Sequence, residues 1–193
     1  MSPPSTPVVA LFGGTFDPPH VGHIMAVAYL LAAEQVDAVW VEPVAQHPLD
    51  KQPTDFSHRR AMCELAFGWL GDRVSVRDDE VDVGGKGRTI ELLRYLQAQH
   101  PQTRFRLVMG SDQLADRQRW LAFDEVMALA PPIVLGRPGY GDEPGFEAAI
   151  CLPAVSSSEI RAAIGRGDSV RGRISRAVLD YIERLELYRG VRT

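Results

Sequence analysis

Cysteine is scarce in this chain: only Cys63 and Cys151 occur among 193 residues, far apart and in apolar surroundings. Small secreted scaffolds depend on several paired thiols, so a disulfide framework is not expected, and two buried thiols in a reducing, cytoplasmic setting are. A surplus of positive charge is also lacking, since 21 Lys and Arg face 25 Asp and Glu and leave a formal charge of -4. Proteins that bind nucleic acid non-specifically neutralise phosphates with clustered basic residues, so no nucleic-acid partner is expected and any phosphate site has to be local. No apolar run approaches the roughly 18 residues of a membrane span, and the first seven residues show no basic-then-apolar leader pattern, so no membrane partner is expected. Repeats and low-complexity tracts are absent. So are G-x-G-x-x-G and G-x-x-x-x-G-K-[ST]: in Gly84-Gly85-Lys86-Gly87-Arg88-Thr89 the lysine is followed by glycine.

What is present is a stretch that organises the rest. The apolar run Val8-Val9-Ala10-Leu11-Phe12 leads into Gly13-Gly14-Thr15-Phe16-Asp17-Pro18-Pro19-His20-Val21-Gly22-His23. This reads as a strand, a tight turn and a helix start. Adjacent glycines leave main-chain N–H groups uncovered for an anion, and a helix beginning near His20 directs its positive end into the same space. His20 and His23, three apart, share a helical face, and Gly22 between them leaves room for a flat ligand. As half of a zinc site the pair lacks further ligands nearby, and no metal ligand set is assigned. A purely structural turn leaves the two histidines unexplained.

Beyond this stretch, helical and strand patterns alternate. A helix is expected over 24–35, a strand over 37–44, and a polar loop over 45–56 that carries His47 and Lys51. Ser57 is expected to cap a helix reaching Ala66, and Thr89 one over 90–99. Strands are expected at 74–76, 104–109, 133–136 and 148–152. Ser156-Ser157-Ser158-Glu159 opens a further helix with a capping pattern, and 174–188 forms a last amphipathic one. The alternation predicts an α/β fold: a Rossmann-like, doubly wound, mostly parallel sheet of order 3-2-1-4-5 with a small C-terminal helical part. Residues 1–193 are read as one domain, about 7–155 as the core and about 156–193 as the helical part. Strands one and four both stop at glycine, Gly13 and Gly110, which sets the ligand crevice between their ends.

Gly14-Thr15-Phe16-Asp17-Pro18 followed by His20-Val21-Gly22-His23 resembles the first signature of the H-x-G-H nucleotidylyltransferases. G-G-T-F-D-P-x-H-x-G-H is most similar to the bacterial nicotinate-nucleotide adenylyltransferase family. Val155-Ser156-Ser157-Ser158-Glu159-Ile160-Arg161 resembles the second signature, with Ser158 where the family often has threonine. The resemblance implies transfer of AMP from ATP to nicotinate mononucleotide, with release of pyrophosphate and Mg²⁺ held mainly by the ATP phosphates. It implies His20, His23 and Arg161 as catalytic, and Gly13, Gly14, Thr15, Phe16, Gly22, Gly110, Asp112, Ser157 and Ser158 with them around ATP. For the acceptor it implies Asp17, Lys51, Thr89, Trp120 as the ring-stacking aromatic, and Arg137 in Gly136-Arg137-Pro138-Gly139.

Three departures bear on the acceptor. Arg88 replaces an aromatic beside Thr89; turned inward it would pair with a nicotinate carboxylate, turned outward it is a solvated charge. Leu121 follows Trp120 where an aromatic is common, and the segment around Lys51 lacks the family's P-P-H-K form. Nicotinamide mononucleotide, phosphopantetheine, or a non-catalytic nucleotide-binding module are the competing readings. Oligomeric state is not legible.

Overall fold

In a computed structural model, residues 6–34, 36–45, 53–84 and 88–189 are described. The strands are β1 (Val8–Gly14), β2 (Ala38–Pro43), β3 (Val74–Val76), β4 (Arg104–Gly110), β5 (Pro132–Gly136) and β6 (Ile150–Cys151). They form a single sheet of order β3-β2-β1-β4-β5-β6 in which every pairing is parallel. The expected order holds, and the strand expected over 148–152 forms only at Ile150–Cys151, as a sixth strand on the edge beside β5.

Parallel strands buried on both faces need apolar residues at successive positions, and β1 shows why. Ala10 and Phe12 enter one core with Val39, Val41, Val108 and Leu135, while Val9 and Leu11 enter another with Phe105 and Leu107. The first core is covered by α1 (Val21–Ala33), α2 (Phe56–Phe67), α7 (Ser157–Arg166) and α8 (Arg176–Arg184). The second is covered by α4 (Thr89–Gln99) and α6 (Phe123–Leu129). Two five-residue helices, α3 (Asp79–Val83) and α5 (Ser111–Ala115), follow β3 and β4. Among the described residues no helix is long and apolar enough to cross a membrane.

Several local expectations are corrected. The first helix starts at Val21 and ends at Ala33, because His20 takes the cap position; Gln35 lies outside the described residues. Asp55 rather than Ser57 precedes α2, and Thr89 is the first helical residue of α4 with Arg88 before it, so neither hydroxyl caps. Ser156 does cap α7, its Oγ accepting from the Glu159 N–H at 3.2 Å. The last helix stops at Arg184 instead of Tyr188, since Glu186 and Tyr188 turn left-handed at φ 53° and 66°. Cys63 is buried as expected but Cys151 is exposed on the edge strand. The helices α3 and α6 were not expected; α3 is too short and acidic to show an apolar period.

Candidate active site

The strand ends β1 and β4 open the crevice. A methyl placed on Gly13 would meet nothing within 4 Å, so this glycine borders open space. Gly14 has another duty. A methyl there would fall 2.9 Å from the Phe16 ring, which folds back, 2 % exposed, with its backbone at φ 50°. Gly14 therefore seats Phe16, and Phe16 packs edge-on against Phe12, His23 and Phe67 with ring centres 5.4, 4.9 and 5.9 Å away.

His20 and His23 stack, ring centres 3.6 Å apart and planes 17° off parallel. The His20 N–H donates to His23 Nδ1 at 3.1 Å. An accepting Nδ1 leaves the proton of a neutral ring on Nε2, so His23 presents an N–H donor there. Burial, and then Arg137, lowers the His20 pKa to about 4; burial, His20 and Arg137 in that order hold His23 well below its usual range. Both imidazoles are neutral donors near pH 7. A Cβ on Gly22 would lie 3.1 Å from His20 Cε1, so Gly22 makes room for this ring rather than, as the spacing suggested, directly for a ligand. His20 Nδ1 is buried and meets no partner among the described residues.

The C-terminal signature is fastened to this turn. Ser157 Oγ donates to the Pro18 carbonyl at 2.8 Å, and Arg161 Nη1 donates to the Asp17 carbonyl at 2.6 Å. Arg161 Nη2 reaches Ser158 Oγ at 3.4 Å. Arg137 joins from the end of β5: its main-chain N–H donates to Ser111 Oγ at 2.9 Å, and its Nε lies 3.8 Å from Asp112 Oδ1. Gly110 lets the Asp112 carboxylate lie against the strand end, since a Cβ there would stand 2.2 Å from that oxygen and displace it.

The remaining expected positions divide. Thr15 turns its carbonyl to Arg59 Nη1 at 3.0 Å. Asp17, expected near the acceptor, is 5 % exposed and engaged by protein groups, its carboxylate accepting from Tyr188 Oη at 2.6 Å and from the Thr54 N–H at 3.2 Å. Trp120 is partly buried, edge-on to Phe123 at 6.1 Å. Arg88 turns outward, 3.5 Å from Glu91. Lys51 and His47 lie outside the described residues, as does Lys86. No group of three His, Cys, Asp or Glu arranged for a metal ion occurs among the described residues.

Buried ionisable groups, Arg59 and Glu42 among them, went unread in the sequence. Arg59 donates to the carbonyls of Thr54, Thr15 and Val44 at 2.7, 3.0 and 2.8 Å, tying both ends of the β2–α2 connection to the turn after β1. The signal was available: 59, 62, 63 and 66 share the buried face of α2. Glu42, opposite Gly13 in the β1–β2 register, is 0 % exposed; its carboxyl oxygens meet no donor among the described residues, and the neighbouring Asp79 carboxylate can accept its proton. Burial, then Asp79, pushes its pKa up to about 9.

The fold thus retains a proton on Glu42 that the unfolded chain releases above its ordinary carboxyl range. Stability from this group falls as pH rises from about 4.5 to about 9. Glu42→Gln should therefore raise the melting temperature near pH 8, by on the order of 3 kcal/mol of stability, and keep little of that gain near pH 5. Parallel pH–stability curves for the two proteins would show the group ionised in the fold.

A doubly wound parallel sheet whose first strand turns into a helix that starts with a stacked histidine pair, with a distant arginine hydrogen-bonded back to that turn, defines the nucleotidyl-transferring α/β class. In agreement, the sequence profile of the cytidylyltransferase-like family matches residues 11–163. Similarity narrows the class further. The chain is 44% identical over 185 residues to a probable nicotinate-nucleotide adenylyltransferase of Anaeromyxobacter dehalogenans (strain 2CP-C), covering 94% of this chain and 97% of that protein. It is 37% identical over 185 residues to another of that name from Myxococcus xanthus (strain DK1622), covering 96% of each. The chain belongs to the nicotinate-nucleotide adenylyltransferase family. Its fold superposes on the Plasmodium falciparum nicotinic acid mononucleotide adenylyltransferase complexed with NaAD with a TM-score of 0.80 at 21% identity, over 94% of this chain and 97% of that one.

Proposed function

We propose that the chain transfers AMP from ATP to nicotinate mononucleotide, giving nicotinate adenine dinucleotide and pyrophosphate, a step of NAD biosynthesis. The observation that carries this reading is the fastening of Arg161 and Ser157 to Asp17 and Pro18, which joins both halves of a phosphate clamp. A non-catalytic module has no need of both halves.

Adenylyl transfer requires in-line positioning and relief of charge, not a protein nucleophile, because the acceptor's phosphate is already an anion. In this reading Gly13 and Gly14 let the triphosphate approach the main chain, and the neutral His20 and His23 donate hydrogen bonds to it. Arg161, Ser157 and Ser158 take the departing pyrophosphate, and Asp112 faces the adenosine. Arg137 lies toward the acceptor phosphate, Trp120 stacks on the pyridine ring, and Thr89 with the first N–H groups of α4 meets the ring's carboxylate. Asp17 serves the acceptor by holding the loop, and Lys51 remains an acceptor candidate.

The nitrogen donors and guanidinium groups around the turn are poor partners for Mg²⁺, a hard cation that prefers oxygen, so Mg²⁺ belongs to the ATP phosphates, where it supplies charge neutralisation. The reading treats the sheet and the helices α7 and α8 as one nucleotidylyltransferase domain, supported by Ile160, Val178 and Ile182 entering the sheet's core. A cytoplasmic setting goes with it, supported by the free thiols.

With Arg88 paired to Glu91, preference for the acid over the amide rests on the Thr89 hydroxyl and the main-chain donors. Pyrophosphate release measured against a panel of acceptors should show nicotinate mononucleotide used at least ten times more efficiently than nicotinamide mononucleotide, about 1.4 kcal/mol, within reach of one or two hydrogen bonds. Equal efficiencies would sink the preference, and faster use of phosphopantetheine would sink the choice of acceptor.

A further inference from the structure

We propose that Tyr188 is a positioning residue whose hydroxyl fixes Asp17 and, through it, sets Arg161 for pyrophosphate. The inference rests on the phosphate-clamp reading above. Tyr188 lies 171 residues from Asp17 in sequence, just beyond α8, where the Tyr188 backbone adopts φ 66°. A tyrosine held left-handed carries a steric cost and persists only where its surroundings demand it. Here the demand is explicit. The ring is 8 % exposed, packed in the core that α2 and α8 share with the sheet, and its Oη donates to Asp17 Oδ1 at 2.6 Å.

The other Asp17 oxygen, Oδ2, accepts from the Thr54 N–H at 3.2 Å and stands 3.8 Å from Arg161 Nη1. That same Arg161 nitrogen donates to the Asp17 carbonyl at 2.6 Å. One residue thus holds the guanidinium through main chain and side chain together, and the tyrosine hydroxyl decides which way the carboxylate faces. Burial and the adjacent carboxylate raise the phenol's pKa, so the hydroxyl stays a donor. The same C-terminal segment reaches the turn once more, the Arg173 carbonyl accepting the Val21 N–H at 2.9 Å at the start of α1.

Calorimetric titration with inorganic pyrophosphate of the unaltered protein, Tyr188→Phe, Arg161→Ala and the double variant tests this without requiring turnover. Tyr188→Phe should weaken pyrophosphate binding by about five- to tenfold, and in the Arg161→Ala background it should cause no further loss, because coupled groups are non-additive. An unchanged affinity in Tyr188→Phe, or an equal loss with and without Arg161, would overturn the proposal. If Tyr188→Phe does not fold, Asp17→Asn, which removes the charge facing Arg161, should show the same loss and the same dependence on Arg161; unaltered binding in it overturns the proposal equally. Absence of pyrophosphate binding by the unaltered protein would instead remove the clamp reading, and this proposal with it.

Discussion

Alanine at position 23 should lower turnover by about two to three orders of magnitude, the scale of losing one preorganised donor to charge that develops in the transition state. The expectation rests on how completely the His23 ring is fixed. Its Nδ1 is occupied by the His20 N–H, its face lies on the His20 ring, and the Phe16 and Phe12 rings stand at 4.9 and 6.0 Å. A ring so held spends no reorganisation at the moment of reaction, and its neutral state leaves Nε2–H as donor. Stability should fall by only about 1–2 kcal/mol, the cost of a small cavity beside Phe16 that the neighbouring rings partly fill. Steady-state pyrophosphate release together with thermal melting separates the two effects; near-normal turnover in the folded variant would remove His23 from the mechanism.

The second large effect is expected from Arg161→Lys, a loss of about 30- to 100-fold, or roughly 2–3 kcal/mol, the scale of hydrogen bonds made by charged groups. Arg161 already spends one guanidinium nitrogen on the Asp17 carbonyl and directs another at Ser158 Oγ. Only a planar fork keeps these anchors while offering its remaining N–H groups to phosphate oxygens. A lysine is one point charge, which can follow the Asp17 carbonyl or the phosphate but cannot reproduce both geometries. Kinetics within about twofold of the unaltered protein would contradict the bidentate role.

Much of the fold was legible because a parallel sheet advertises itself. Val8 to Phe12, Val39 to Val41 and Ile133 to Leu135 are apolar at successive positions, and strands buried on both faces require that. The strand order followed from the alternation of strands with helices, which implies a doubly wound sheet, and the glycine-ended strands one and four then marked the crevice. Helix ends were less legible: Ser57 and Thr89 are good caps by residue type, yet each lies one or two residues inside its helix, where the chain already runs helical. The last helix stopped early for a tertiary reason, the seating of Tyr188 on Asp17.

The candidate site was legible where chemistry is local. His20 and His23 stand in a short motif whose spacing aims both rings at one point, whereas Ser157, Ser158 and Arg161 read alone as a helix cap and were tied to phosphate by the resemblance to the second signature. What the spacing could not carry was the function of the supporting residues. Gly22 serves the His20 ring and Gly14 the Phe16 ring, contacts that exist only once the turn has closed. Asp17 stood in the motif as an acceptor residue and Arg59 on the apolar face of an amphipathic helix, but the buried groups each satisfies are brought together by several elements. Glu42 did carry a signal, a lone carboxyl within an apolar strand, and its cost is a matter of surroundings that only the folded sheet supplies.

The central claim is adenylyl transfer to nicotinate mononucleotide, and phosphorus NMR of the purified protein with ATP, Mg²⁺ and that acceptor tests it most directly. The account predicts stoichiometric appearance of free pyrophosphate and of a dinucleotide whose new bridge joins the ATP α-phosphorus to the acceptor's phosphorus. Release of orthophosphate with ADP, or pyrophosphate formed without any acceptor-linked product, would contradict it.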